Sequence, residues 1–133
     1  MLMSLGTGLM SYNHKLLFAV ISKHLHENPA SSIRHLSTVL GISYRTIQHI
    51  VDGESGKTFS TLRGEILIAR VKQLFIAQPW YAIKEVSSAL GFSSPRTFGR
   101  AVKRACGLSP KEFQCSVGSY LGKEDENVLV RPT

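Results

Sequence analysis

The chain has little of what many small-domain chemistries need. Only two of its 133 residues are cysteine, Cys106 and Cys115. They form no CxxC pair and no histidine cluster with zinc-ligand spacing surrounds them, which excludes a disulfide framework and a structural zinc site. Long apolar runs are missing too. The longest early one, Leu16 to Ile21, is too short to span a bilayer, and no basic segment with a small-residue cleavage site precedes it. The expectation is a cytoplasmic protein with no membrane partner. Acidic side chains are scarce: nine Asp and Glu stand against sixteen Lys and Arg, a formal net charge of +7. Such a surplus favours a polyanionic partner, nucleic acid above all. The length suits one domain or two very small ones and excludes a large multidomain enzyme.

The basic surplus sits in the middle of the chain. Residues 31–113 hold twelve basic and five acidic side chains, whereas residues 1–30 sum to +1 and residues 114–133 to −1. The end of the chain, 118–133, is polar and carries the run Glu124, Asp125, Glu126, so it reads as a flexible tail.

Strand signals are weak and apolar residues recur at helical intervals, which predicts an all-α domain. A first helix covers His14 to Glu27, with Leu17, Ile21 and Leu25 at four-residue steps and Asn28-Pro29 ending it. Ser32 caps a short helix carrying Ile33, Leu36 and Leu40 and closed by Gly41, and Ser43 caps another over Tyr44, Ile47, Ile50 and Val51. A long helix is expected from about Thr61 to Ala77, capped by Ser60. Its apolar residues spread round much of its circumference, as in a helix packed on two sides. A further short helix holds Ile83, Val86 and Leu90. The next runs from about Ser94 to Cys106 and buries Phe98 and Val102, and Ser109-Pro110 opens the last.

The middle of the chain repeats itself. At an offset of 50, Ile33, Leu36, Ser37, Leu40, Gly41 and Ser43 match Ile83, Val86, Ser87, Leu90, Gly91 and Ser93. At an offset of 51, Arg45-Thr46-Ile47 matches Arg96-Thr97-Phe98, and Val51, Gly56, Thr58 and Leu62 match Val102, Gly107, Ser109 and Phe113. Each copy is a short helix, a glycine-centred turn and a second helix, polar in its first turns and apolar on its far side. That is the helix-turn-helix layout, in which the second helix enters a major groove roughly 12 Å wide. The chain is thus organised as a first subdomain over 14–58, a linker helix over 59–78, a second subdomain over 79–117 and the tail over 118–133.

The residues placed to read bases are Tyr44, Arg45, Gln48 and His49 in the first copy and Arg96, Thr97 and Arg100 in the second. Arg matches guanine O6 and N7, and Gln matches adenine N6 and N7. Any single exposed Arg is an ordinary solvated side chain; two at equivalent places of a duplicated unit favour base reading. Ser43, Lys57, Lys103, Arg104 and Lys111 are placed for phosphates, which add affinity without sequence information. A plain helix cap accounts equally well for Ser32, Ser43 and Ser109. His24 and His26, two residues apart, point to different faces of one helix, so neither a metal nor any other cofactor is expected.

The segment Gly91-Phe92-Ser93-Ser94-Pro95-Arg96-Thr97-Phe98-Gly99-Arg100, followed by Lys103-Arg104 and Gly107-Leu108-Ser109-Pro110-Lys111-Glu112-Phe113, resembles the DNA-binding domain of the AraC/XylS family of bacterial transcription regulators. Leu36-Ser37, Leu40-Gly41-Ile42-Ser43 and Gly56-Lys57-Thr58-Phe59 resemble the family's first unit, so the similarity runs from about Leu16 to Gln114. It implies about seven helices in a homeodomain-like tandem, two helix-turn-helix subdomains joined by a long central helix. It also implies sequence-specific binding of double-stranded DNA at a promoter, as a monomer on an asymmetric site, with recruitment of RNA polymerase if the chain is an activator. The chain departs from the family at Leu67-Ile68, where an Arg-Leu pair is usual, and at Val102, where Phe is usual. Pro95 and Gly99 add no hydrogen-bonding side chain. Many members carry a further ligand-binding domain. These 133 residues have no room for one, so the expectation is a small stand-alone regulator or a fragment of a longer chain.

Two other classes compete. Alkylation-repair enzymes that couple a similar domain to a reactive cysteine need a low-pKa or metal-bound thiolate. Cys106 falls at a core position and Cys115 near a helix end, with no ligand cluster beside either, so no catalytic residue is assigned. The other is a protein-binding module that keeps the fold and modulates another regulator. A flat salt dependence on duplex DNA marks that class.

Overall fold

The computed structural model describes residues 14–118. Of the expected tail only Gly118 falls inside that span; the rest lies outside the described residues. The described residues form seven helices and no strand: α1 His14–Glu27, α2 Ile33–Leu40, α3 Tyr44–Ser55, α4 Phe59–Ala77, α5 Ile83–Ala89, α6 Pro95–Cys106, and α7 over residues 110–118. They fall into two compact units that divide inside α4, between Arg63 and Gly64. None of these helices is long and apolar enough to cross a membrane.

Local chemistry sets the helix ends. Ser32 accepts the His35 N–H at 3.0 Å and caps α2. Gly41 follows at φ 71° and Gly91 follows α5 at φ 89°, a left-handed backbone that only glycine adopts without steric cost. One expected cap moves. Thr58, not Ser60, opens the long helix: its Oγ1 accepts the Thr61 N–H at 3.1 Å and its carbonyl accepts the Leu62 N–H at 3.0 Å. Starting two residues early brings Phe59 onto the helical face of Leu62 and Ile66, and all three are buried. Burying one such side chain is worth roughly 1.5–3 kcal/mol, enough to decide between two hydroxyl caps.

In the first unit α1 packs on α3 and α2 on α3, and Ile21, Leu25, Leu36, Ile47, Ile50 and Val51 are fully buried. In the second, Leu67, Val71 and Phe75 of α4 share a core with Val86, Leu90, Phe98, Val102 and Val117. Leu67, at a position where Arg is usual in the family it resembles, therefore belongs to an apolar core. Gly64 lets α4 and α6 approach closely, since a Cβ there would stand 3.2 Å from that of Ala105. The apolar circumference of α4 is only partly covered: Ile68 and Leu74 are half-buried and Ile76 is 46% exposed.

The two units are closed by the same device. Arg63 Nη1 donates to the Ser31 carbonyl at 3.1 Å, and Gln114 Nε2 donates to the Tyr81 and Pro79 carbonyls at 2.7 and 3.0 Å. Ser31 and Tyr81 correspond at the offset of 50, Arg63 and Gln114 at 51. Each bond ties the turn before a helix-turn-helix to the helix that follows it.

Candidate nucleic-acid interface

The second helix of each pair starts in the same way. Ser43 Oγ accepts the Thr46 N–H at 3.2 Å and is hydrogen-bonded to Thr46 Oγ1 at 2.9 Å. Ser94 Oγ accepts the Thr97 N–H at 3.2 Å and pairs with Thr97 Oγ1 at 3.0 Å. The partner of Ser43 is thus Ser94 rather than Ser93, and the register slips inside the turn. Gly41-Ile42-Ser43 becomes Gly91-Phe92-Ser93-Ser94, and the added residue leaves Phe92 half-buried against Phe98, ring centroids 5.3 Å apart.

With both caps fixed, the offset of 51 assigns every exposed position. Ile47, Ile50 and Val51 in α3, like Phe98 and Val102 in α6, are fully buried and set the inward face. Tyr44, Arg45, Gln48 and His49 lie exposed on α3, as do Arg96, Thr97 and Arg100 on α6. Arg45 corresponds to Arg96, His49 to Arg100 and Asp52 to Lys103. Four-residue spacing puts Arg96 and Arg100 in one row, with Lys103 and Arg104 prolonging it. The same row on α3 reads Arg45, His49, Asp52. The first helix therefore offers varied hydrogen-bonding groups and the second an unbroken cationic edge. The charge follows suit, with +1 over residues 31–58 and +4 over residues 82–113.

Several candidates have partners that the sequence did not announce. The His49 ring meets His14 of α1 edge to face, centroids 5.6 Å apart, and His24 meets His35 at 6.3 Å. The Thr97 hydroxyl is held by Ser94, and Ser43 acts as a cap. Lys57, Lys103, Arg104 and Lys111 are exposed. Lys111 lies in the first turn of α7, where Ser109 and Glu112 cap one another: Glu112 Oε1 accepts the Ser109 N–H at 2.8 Å and Ser109 Oγ accepts the Glu112 N–H at 3.2 Å. That capping box is visible as Ser-x-x-Glu in the sequence. The Ser109 N–H, the Ser109 hydroxyl and the positive charge of Lys103, in that order, hold the Glu112 carboxyl below its usual range.

Cys106 is half-buried, its Sγ–H 3.8 Å from the Leu108 carbonyl, and Cys115 is exposed. No group of three metal-ligating side chains occurs among the described residues.

No curated protein matches the chain. Solved structures share its fold, among them the following three. The C-terminal domain of AraT, a response regulator from Geobacillus stearothermophilus, superposes with a TM-score of 0.62 at 20% identity, over 77% of this chain and 84% of that one. A DNA-binding transcriptional dual regulator from Escherichia coli K-12 gives 0.53 at 19% identity, over 75% and 87%. A Chromobacterium violaceum transcriptional regulator of the AraC-type DNA-binding-domain class gives 0.53 at 18% identity, over 84% and 95%. The family model described as a helix-turn-helix domain matches residues 36–115, more than half of the chain, including the Ser-capped second helix of each pair. By that match the chain belongs to the AraC-type helix-turn-helix family of DNA-binding transcription regulators.

Proposed function

We propose that the chain is a sequence-specific promoter-binding regulator that reads two successive major-groove segments, one with α3 and one with α6, and activates transcription by recruiting RNA polymerase. The observation that carries this reading is the shared start of the two helices, a Ser–Thr cap that leaves Arg45 and Arg96 exposed at equivalent positions. On this reading Tyr44, Arg45, Gln48 and His49 face one set of base edges. Arg96, Arg100 and Thr97 face another. Lys57, Lys103, Arg104, Lys111 and the Ser43 helix start meet phosphates. Because the two helices differ at nearly every exposed position, one copy of the chain reads an asymmetric site.

Selection of bound sequences from a random duplex library tests the reading. The expected product is a non-palindromic motif in two parts about one helical turn apart, bound with an affinity that falls steeply as salt rises. A flat salt response would point to the protein-binding module instead. Placing the selected motif upstream of a core promoter then tests activation, which purified RNA polymerase reports as increased transcript.

A further inference from the structure

The turn Gln78-Pro79-Trp80-Tyr81 of the second unit is the repeat of Asn28-Pro29-Ala30-Ser31 in the first. The two have the same backbone: Tyr81 N–H donates to the Gln78 carbonyl and Ser31 N–H to the Asn28 carbonyl, each at 3.0 Å. Alanine therefore suffices for the turn at this position. Trp80 nevertheless stands where Ala30 does, is the sole tryptophan of the chain, and is 90% exposed. An indole left in water forgoes the large apolar burial that its ring offers. Ile76, four residues ahead, is 46% exposed. Beside them opens a cleft of about 310 Å³ lined by Ala77, Gln78, Pro79, Trp80, Tyr81 and Glu85.

The chemistry of this patch narrows its occupant. Its only charged lining group is the Glu85 carboxylate, which disfavours a phosphate backbone as the occupant. The patch also contains both halves of a complementary pair. Trp80 is a projecting apolar knob and the cleft is a hollow. The indole N–H is a donor, Glu85 is an acceptor, and neither has a hydrogen-bond partner among the described residues. A two-fold axis presents each such half to the other, which is what an isologous interface requires.

We propose that this patch is a self-association surface: Trp80 of one protomer enters the cleft of its partner, its indole N–H donating to the partner's Glu85, and the exchange is reciprocal. Two indoles of roughly 150–250 Å² each leave the contact below the roughly 1,000 Å² of a stable interface. Pairing is thus weak in dilute solution and takes effect when two chains occupy neighbouring DNA sites, where the local concentration is high.

The first measurement uses the full chain without DNA, so its outcome does not depend on the promoter reading. Sedimentation velocity up to about 1 mM, a concentration suited to weak association, is expected to show a monomer–dimer equilibrium, with tryptophan emission moving to shorter wavelength as the dimer forms. Trp80→Ala and Glu85→Lys are expected to remain monomeric with unchanged helical circular dichroism. On a duplex carrying two adjacent selected sites the wild type binds cooperatively and Trp80→Ala does not, while single-site affinity is equal for both. A wild-type chain that stays monomeric with constant emission overturns the proposal. So does a Trp80→Ala variant that dimerises like the wild type. A Trp80→Ala variant that loses single-site affinity also overturns it and marks Trp80 as a DNA contact.

Discussion

Arg63 in α4 and Gln114 in α7 hold equivalent places in the two copies, and each donates a side-chain N–H to the turn that precedes its own helix pair, at Ser31 and at Tyr81. Gln114 is 9% exposed and serves two carbonyls, so its removal leaves both without their donor. A buried polar group stripped of its partner costs about 1–3 kcal/mol. Gln114→Leu, which keeps the volume, is expected to lower the free energy of unfolding by about 2 kcal/mol. A urea titration followed by circular dichroism measures it, and an unchanged midpoint would show that the tie carries no stability.

The repeat also supplies a pair of serines with opposite prospects. Ser37 Oγ donates to the Ile42 carbonyl at 2.5 Å, whereas the corresponding Ser87 Oγ is buried and has no hydrogen-bond partner among the described residues. Deleting a satisfied hydroxyl loses about 1 kcal/mol, and deleting a desolvated, unsatisfied one is neutral or favourable. Ser37→Ala is therefore expected to lower the melting temperature and Ser87→Ala to hold or raise it. Two shifts of the same sign and size would contradict this assignment.

Helix ends and pairing were legible in the sequence because they depend on neighbours a few residues away. Ser32, Ser43 and Ser109 cap as their positions imply, and Gly41 and Gly91 mark the offset of 50. The misplaced cap at Ser60 shows where local chemistry stops deciding. Lys57-Thr58-Phe59-Ser60-Thr61 offers two hydroxyls of similar capping strength, and the choice falls to the burial of Phe59, a tertiary effect. Likewise Ser93 and Ser94 are equivalent as letters, and the packing of Phe92 on Phe98 is what selects Ser94. The Arg63 and Gln114 ties span more than thirty residues and share no residue type, so no pattern announces them. The contact of His49 with His14 was hidden for the same reason.

Glu112 gives the fold an acid-sensitive element. Its carboxyl is held below the usual range chiefly by the Ser109 N–H, with help from the Ser109 hydroxyl and from Lys103. A depressed carboxyl contributes stability above its unfolded pKa, about 4.3 for Glu. That contribution is lost as the pH falls through the lower folded value. Glu112→Gln keeps a group able to reach the Ser109 N–H but cannot ionise. Melting temperatures measured from pH 7 downward should fall less steeply for this variant below about pH 4.3. Parallel curves would mean that the capping box does not contribute to the acid response.

The correspondence of Asp52 with Lys103 yields the sharpest test of how the two helices divide the work. If α6 supplies the electrostatic attraction, Lys103→Ala weakens every duplex by a similar factor and reduces the salt slope by about 1. Asp52→Lys, which gives α3 the charge that α6 has at that place, does the reverse: it strengthens all sequences alike and steepens the slope by a similar amount. Base reading behaves differently. Arg96→Ala and Arg100→Ala should each cost about 1–3 kcal/mol on the selected site and relax preference at one position, with little change on unrelated DNA. Because Arg45 and Arg96 are equivalents, Arg45→Ala should relax a position in the other half of the motif. Binding isotherms on selected and scrambled duplexes at three salt concentrations separate the two kinds of residue. If all four arginine and lysine substitutions reduced affinity equally on both duplexes, α3 and α6 would be phosphate-binding helices and nothing more.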